Sequence, residues 1–310
     1  MKNEILIGVD FGGTKILAGG MTEKGEIVCE PVKMPTNGQE SGEKIIARLT
    51  NSIDEVIRRS EVRIDQVKGI GLGVTGPLDI KNGTILECPQ LPTLRFFPLK
   101  KAVENYFHRP VYMDNDANCL IYGETLFGSG VGKMNVVGFT LGTGLGCAII
   151  LDGKIFVGST ESAGEIWPSP YGDGTIEDLV CGAGVSKIYR RISGKERSAV
   201  DIASLAEKGE ENALATWSEF GKHLSVAMAW TINVIDPDIV ILGGSISNAY
   251  PYFSSSMEEN LRKYICPVPS ERTRVVCSKL GANAGFIGAA ALAMRQEESR
   301  TQENFNEESL

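Results

Sequence analysis

The chain has 310 residues, 42% of them apolar, and a formal net charge of −8. At about 100–200 residues per domain this is enough for two globular domains. The acidic balance, with no Lys/Arg block, argues against a nucleic-acid or membrane-surface protein.

No apolar run reaches about 18 residues, so no membrane-spanning helix is expected. The first residues lead into a strand pattern rather than a leader segment. The seven cysteines are scattered and make no C-x-x-C pair. Together these features point to a soluble cytoplasmic protein with reduced thiols.

In chain order, residues 4–9, 15–20 and 26–33 read as the three strands of an antiparallel meander. Ile45, Ile46, Leu49, Ile53, Val56 and Ile57 recur at helical spacing and predict a helix over 43–60. A buried strand, Gly69 to Val74, enters the turn Thr75-Gly76-Pro77. A short helix is expected over 98–107. A strand from Pro110 to Met113 ends at Asp114-Asn115-Asp116, and a helix follows from about Ala117 to Phe127.

A second meander begins near Val136. Residues 176–192 read as mostly helical, interrupted at Gly182 and Gly184. Helices are expected over 198–206 and 209–235, the latter stopped by Asp236-Pro237. The apolar strand Ile239 to Leu242 then runs into Gly243-Gly244-Ser245. A helix over 251–264, a strand over 273–277 and an Ala/Gly-rich helix over about 284–296 complete the pattern, before a polar tail at 297–310.

The expected fold class is α/β. The expected division is 1–118, 119–283 and the tail, with a hinge near 118–135 and the 284–296 helix a candidate to pack back on the first half.

One motif occurs twice. Ile7-Gly8-Val9-Asp10-Phe11-Gly12-Gly13-Thr14-Lys15 aligns with Val137-Gly138-Phe139-Thr140-Leu141-Gly142-Thr143-Gly144-Leu145. Each copy is strand, glycine turn, strand. Glycine lets the backbone come close to a ligand, and turn N–H groups can surround phosphate. A dinucleotide fingerprint needs G-x-G-x-x-G opening a helix, and a P-loop needs G-x-x-x-x-G-K-[ST]; neither is present. Asp10 is a carboxylate able to hold hydrated Mg²⁺, while the amides and Thr14 meet phosphate oxygens. A hairpin turn with a capping Asp is the plainer alternative.

Asn115 and Asp116 fit either a helix N-cap or a general base with a hydroxyl-orienting partner. Glu165 and Glu177 are either solvated acids or acceptors for sugar hydroxyls. The small residues Gly243 and Gly244 leave space for a flat ring or ribose.

Taken together, these segments resemble the ROK family of sugar kinases, within the actin/hexokinase-like ATPase superfamily. The likeness runs over about residues 5–295. After the Asp10–Lys15 motif come Gly73-Val74-Thr75-Gly76-Pro77, Pro89-Gln90-Leu91-Pro92 (P-N-L-P in the family), Asn115-Asp116-Ala117-Asn118 and Leu141-Gly142-Thr143-Gly144. Ala163-Gly164-Glu165-Ile166, Leu242-Gly243-Gly244 and Leu280-Gly281-Ala282-Asn283-Ala284-Gly285 follow.

The resemblance implies two ribonuclease H-like domains with sugar in the cleft between them and ATP with Mg²⁺ beside it. It implies a homodimer, while the charge balance leaves no nucleic-acid or membrane partner expected. Asp116 matches the catalytic base, Asn115 its orienting partner, and Glu165 and Glu177 the sugar-binding glutamates, with Gly76 near the sugar. Asp10, Gly12, Gly13, Thr14, Lys15, Thr143, Gly144, Gly243 and Gly244 match the ATP-binding positions, and Glu177 is expected to begin a helix. The implied reaction is ATP-dependent phosphorylation of a hexose or N-acetylhexosamine, with closure of the two halves excluding water.

One segment departs from the family. Trp167-Pro168 stands where the family has Gly-His, and the C-x-C-G-x-x-G-C-type zinc segment is replaced by about nine residues without cysteine. No structural zinc is expected, and His108 and His223 read as ordinary surface or packing residues. Trp167 or Tyr171 could offer an apolar face to a sugar ring, or pack in the core. A sugar-responsive regulator, a sugar-binding protein without activity and a polyphosphate-dependent kinase remain as alternatives. The family's regulators carry a helix-turn-helix ahead of the core, and the first motif here begins at about residue 7.

Overall fold

The computed structural model describes residues 4–294. Among them, residues up to Phe127 together with those from Ala282 onward form one compact unit, and Gly128–Gly281 form a second.

The first unit opens with the meander β1 (Ile5–Phe11), β2 (Lys15–Met21) and β3 (Val32–Pro35), then α1 (Gly42–Arg59) and β4 (Val67–Val74). A small hairpin, β5 (Leu78–Asp79) and β6 (Thr84–Ile85), precedes α2 (Leu99–Phe107), β7 (Val111–Asn115) and α3 (Asp116–Phe127). The sheet order is β3-β2-β1-β4-β7. The meander strands pair antiparallel, and β4 and β7 join parallel to β1. A final helix, α9 (284–294), packs on this sheet: a side chain at Gly8 would strike the Phe286 carbonyl, and one at Gly71 the Ala289 carbonyl.

The second unit repeats the plan. Strands β8 (Val136–Leu141), β9 (Leu145–Leu151) and β10 (Lys154–Ile155) form its meander, and the short hairpin β11 (Pro170–Tyr171) and β12 (Gly174–Thr175) follows. Then come α4 (Gly182–Ser193), α5 (Ala199–Glu207), α6 (Glu211–Ile235), β13 (Ile239–Gly243), α7 (Tyr250–Tyr264), α8 (Pro267–Arg272) and β14 (Arg274–Cys277). The order β10-β9-β8-β13-β14 matches the first sheet strand for strand, again with the last two strands parallel to the first. Trp217, Phe220 and Phe253 form the aromatic centre of this core, with ring centroids 5.3–6.1 Å apart. Edge and tilted arrangements of this kind suit the ring quadrupoles.

Three expectations are corrected. The third strand lies at 32–35 rather than 26–33; Ile27 makes only a single bridge to Met21. The helix expected over 176–192 begins at Gly182, where Cys181 Sγ accepts the Gly184 N–H. Glu177 therefore lies in the irregular segment ahead of the helix and does not begin it. Strand β7 extends to Asn115, which puts Asp114 inside the sheet. The 284–296 helix is described to 294, and the 297–310 tail lies outside the described residues.

Register positions the candidate residues. Phe11, Val74 and Asn115 are paired neighbours at the carboxyl ends of three parallel strands. The turns that follow the first two, at 12–14 and 75–77, and the start of α3 at Asp116 therefore share one sheet edge. In the second unit Leu141, Gly243 and Cys277 end their strands together. The carboxyl edge of parallel strands is where open α/β sheets bind ligands.

Candidate active site

In the first unit, Gly12 N–H donates to the Lys15 carbonyl at 3.0 Å and closes the turn. The Asp10 carboxylate pairs with Lys15 Nζ at 3.0 Å, which settles the direction of Lys15 within this unit. Thr14 is exposed at the turn's tip. Among the described residues, no hydrogen bond engages its hydroxyl or the Gly13 and Thr14 amides.

The turn is held from behind by a residue that carried no sequence signal. Buried Thr36 donates its hydroxyl to the Gly12 carbonyl at 2.6 Å and its N–H to the Thr14 carbonyl at 3.0 Å. Arg48 in turn donates to the Thr36 carbonyl and pairs with Glu40. That hydrogen bond, with one from Asn37, holds the Glu40 carboxyl below its usual range. Gln90, in the Pro-Gln-Leu-Pro segment, packs directly on Gly13, where a Cβ would lie 2.4 Å from its own.

At the end of β7, Asn115 Oδ1 and Asp116 Oδ1 both accept the Ala117 N–H, at 2.9 and 2.8 Å. Asn115 Nδ2 lies 3.4 Å from where a Gly76 side chain would begin, so the structure brings Gly76 and Asn115 together. Asp114 is buried and accepts from Asn115 N–H and Asn118 Nδ2, both at 2.7 Å. Asp114 and Asn118 thus brace the strand-to-helix step that carries Asn115 and Asp116.

In the second unit, Gly142 N–H donates to the Gly144 carbonyl and exposed Thr143 forms the tip. Glu177 Oε2 accepts the Leu145 N–H at 2.8 Å and sits 2.7 Å from where a Gly144 Cβ would be. This carboxylate is thus built onto the phosphate-type turn. Gly182 N–H fixes the Gly142 carbonyl from the start of α4. Gly244 adopts φ +83°, and a side chain there would strike the Leu141 carbonyl, so the small-residue turn after β13 lies against the end of β8.

The segment from Glu165 to Glu177 is a closed loop. Trp167 Nε1 donates to Glu165 Oε2 at 2.6 Å, Glu177 N–H donates to the Trp167 carbonyl at 3.4 Å, and Ile176 N–H donates to the Ser169 carbonyl. Asp178 caps the hairpin through the Thr175 N–H and hydroxyl, which lowers its own carboxyl. Gly164, at φ +89°, packs on the Cys147 carbonyl of β9. Burial, and then the nearby Glu165 charge, push the Cys147 thiol up to about 12, so it stays protonated.

Tyr171 and His223 both serve packing. The Tyr171 hydroxyl meets His223 Nδ1 at 2.9 Å, and its ring lies edge-on to Trp230. His108 ends α2 in a left-handed conformation.

Burial holds the His223 imidazole below its ordinary range, against a smaller opposing pull from Glu219. The unfolded chain therefore binds this proton more readily. The stability conferred by neutral His223 is present above the unfolded pKa of about 6.5 and is lost as pH falls through the lower folded value. Between about pH 7 and 5, the melting temperature of the wild type is expected to fall more steeply than that of His223→Gln. Parallel curves in a thermal melt series would refute this.

The ROK family profile matches residues 6–296. The chain belongs to the ROK family. It is 30% identical to a glucokinase of Halalkalibacterium halodurans, over 99% of this chain and 100% of that one. It is 29% identical to an N-acetyl-D-glucosamine kinase of Vibrio parahaemolyticus, over 93% and 99%. The ROK family glucokinase from Streptomyces griseus, solved in complex with glucose and AMPPNP, superposes with a TM-score of 0.82 at 27% identity, covering 94% of this chain and 99% of that one. The two repeated sheets therefore have the actin/hexokinase-like fold of ROK sugar kinases. No described helix is long and apolar enough to cross a membrane.

Proposed function

We propose that this ROK protein is a kinase that transfers the γ-phosphoryl group of ATP to a hydroxyl of a hexose or N-acetylhexosamine. The observation that carries the reading is the duplicated turn. Each unit presents an exposed threonine directly after a glycine at the carboxyl edge of its sheet, and the first unit presents Asn115 and Asp116 on that same edge.

Asp116 accepts the proton of the attacking hydroxyl as that oxygen bonds to the γ-phosphorus and the bond to the bridging oxygen of ADP breaks. Asn115 orients the hydroxyl beside Gly76. Glu165 and Glu177 accept sugar hydroxyls. The turns at 12–15 and 142–144 hold the phosphates, with Thr14 and Thr143 at their tips, and the Gly243-Gly244 turn takes the adenosine.

Mg²⁺ fits Asp10. The partly buried carboxylate is a hard oxygen ligand, and among the described residues no group of three or more His, Cys, Asp or Glu side chains is placed to hold a metal. Mg²⁺ commonly binds through one or two carboxylates, its waters and substrate phosphates. Bound there, it neutralises charge on the phosphates.

The test is ADP release across a panel of hexoses and N-acetylhexosamines, with the phosphorylated product located by NMR. Expected is sugar-dependent turnover with ATP on at least one of them. Turnover with polyphosphate alone would reassign the donor, and sugar binding by calorimetry without turnover would make the chain a binding protein.

A further inference from the structure

We infer that Trp167 is the platform on which the sugar ring rests, and that it selects a pyranose with equatorial ring hydroxyls. The inference deepens the sugar-kinase reading and rests on it.

Two aromatic rings lie in the segment that replaces the family's Gly-His and zinc-binding residues, and the structure separates their roles. Tyr171 is taken up by His223 and Trp230 and packs against the core of the second unit. Trp167 remains 43% exposed although it is fixed at both ends. Its indole N–H donates to Glu165 at 2.6 Å, and its carbonyl accepts the Glu177 N–H. The ring is thus tied to Glu165 and the Trp167 backbone to that of Glu177, the two glutamates to which sugar hydroxyls are assigned.

A large apolar ring held open to solvent beside fixed carboxylate acceptors has the mixed character of a small-molecule site, where apolar lining gives contact and a few polar groups give orientation. Trp suits this because one side of it is apolar while its N–H stays hydrogen-bonded.

The chemistry of the ligand follows. A pyranose with equatorial hydroxyls carries its ring C–H bonds axially, so it offers an apolar face to the indole while its hydroxyls point sideways toward Glu165 and Glu177. An axial hydroxyl on that face would lose its water against the ring without gaining an acceptor. Galactose bears its axial C4 hydroxyl on one face only; with that face committed to the indole by the side-on acceptors Glu165 and Glu177, glucose-type sugars are preferred over galactose-type sugars and furanoses. The Trp167 N–H occupies Glu165 Oε2, so Oε1 is the oxygen assigned to an incoming hydroxyl donor.

The experiment uses the full chain and two readouts. Intrinsic tryptophan fluorescence is titrated with glucose, N-acetylglucosamine and galactose in the absence of ATP, and KM for sugar and for ATP is measured by ADP release. The variants are Trp167→Ala and Trp167→Phe, each checked by thermal melting.

The wild type should show a saturable fluorescence change with a glucose-type sugar and little with galactose. Trp167→Phe keeps a ring and should hold the sugar KM within about fivefold while losing most of the fluorescence change, since of the other two tryptophans Trp217 is buried in the core and Trp230 packs on Tyr171 against it. Trp167→Ala should raise the sugar KM about 10–100-fold, leave the ATP KM within about twofold, and narrow the glucose-over-galactose preference.

An unchanged sugar KM in Trp167→Ala, an equal rise in both KM values, or a sugar titration that leaves Trp167 fluorescence unmoved overturns the assignment. Should Trp167→Ala not fold, the Trp167→Phe fluorescence decides. A wild type whose Trp167 signal responds to glucose but which turns over no sugar would defeat the kinase reading while upholding this one.

Discussion

Asp116→Asn is expected to lower kcat by about 10²–10⁴-fold, the usual contribution of a general base, while the melting temperature stays nearly unchanged. Asp116 is the first residue of α3, and its carboxylate accepts the Ala117 N–H. It therefore does helix-start work whatever its chemical role. Asn serves that work about as well as Asp but cannot take a proton, so this substitution separates the two roles. Asp116→Ala should lose the same activity and only a few tenths of a kcal/mol of stability, because Asn115 Oδ1, just ahead of α3, still accepts the Ala117 N–H. The measurements are steady-state ADP release with the best sugar of the panel and calorimetric melting of both variants. If Asp116→Asn keeps kcat within about threefold, Asp116 is a cap and the proton goes elsewhere.

The repeat was the legible part of this molecule. Two glycine turns in matching strand contexts announced two similar sheets, because a strand–turn–strand unit depends on local residues: apolar alternation, then glycine. The parallel strands were legible as apolar runs ending in small or polar residues.

What stayed hidden depends on distant partners. Thr36 looks like any polar residue after a strand, yet it fixes the Gly12–Thr14 turn because β3 pairs with β2 in one register. Asp114 read as one of three polar residues at a strand end; only the extension of β7 shows that it is buried and braces Asn118. Glu177 read as a helix start because Glu-Asp-Leu-Val has helical composition. The Leu145 N–H and the Trp167 carbonyl hold it in the loop instead, contacts from residues 32 and 10 positions away in sequence that outweigh a weak local propensity. Trp167 and Tyr171 were indistinguishable by composition. His223, 52 residues beyond Tyr171, decides which ring packs on the core.

Two glycines three residues apart in α9 should respond in opposite ways to the same added methyl group. At Gly288 a Cβ would lie 1.6 Å from the Cys119 carbonyl and 2.8 Å from the Gly123 nitrogen, so α9 and α3 meet backbone to backbone. Nothing at that contact can rotate aside. Overpacking costs about 1–3 kcal/mol and occasionally more, and this case belongs at the upper end. With about 2–4 °C lost per kcal/mol in a unit of this size, Gly288→Ala should melt roughly 6–12 °C below the wild type.

At Gly285 the neighbour is instead the Asp10 side chain, with Cγ 3.0 Å, Cβ 3.1 Å and Oδ2 3.2 Å from the added atom. The partly exposed carboxylate can swing away and the Cβ need yield only a few tenths of an ångström, so Gly285→Ala should cost about 1 kcal/mol at most, about 2–4 °C of melting temperature. The movement would displace the group assigned to Mg²⁺ and loosen its pairing with Lys15. A displacement of about 1 Å at such a site can cost up to about 10²-fold in rate, so kcat/KM for ATP should fall by about tenfold or more and its Mg²⁺ dependence should shift to higher concentration. Melting curves and Mg²⁺ titrations of the two variants read this directly. A Gly285→Ala enzyme with wild-type Mg²⁺ dependence would remove Asp10 from the metal role, and a Gly288→Ala protein with wild-type stability would mean that α9 shifts on the sheet without cost.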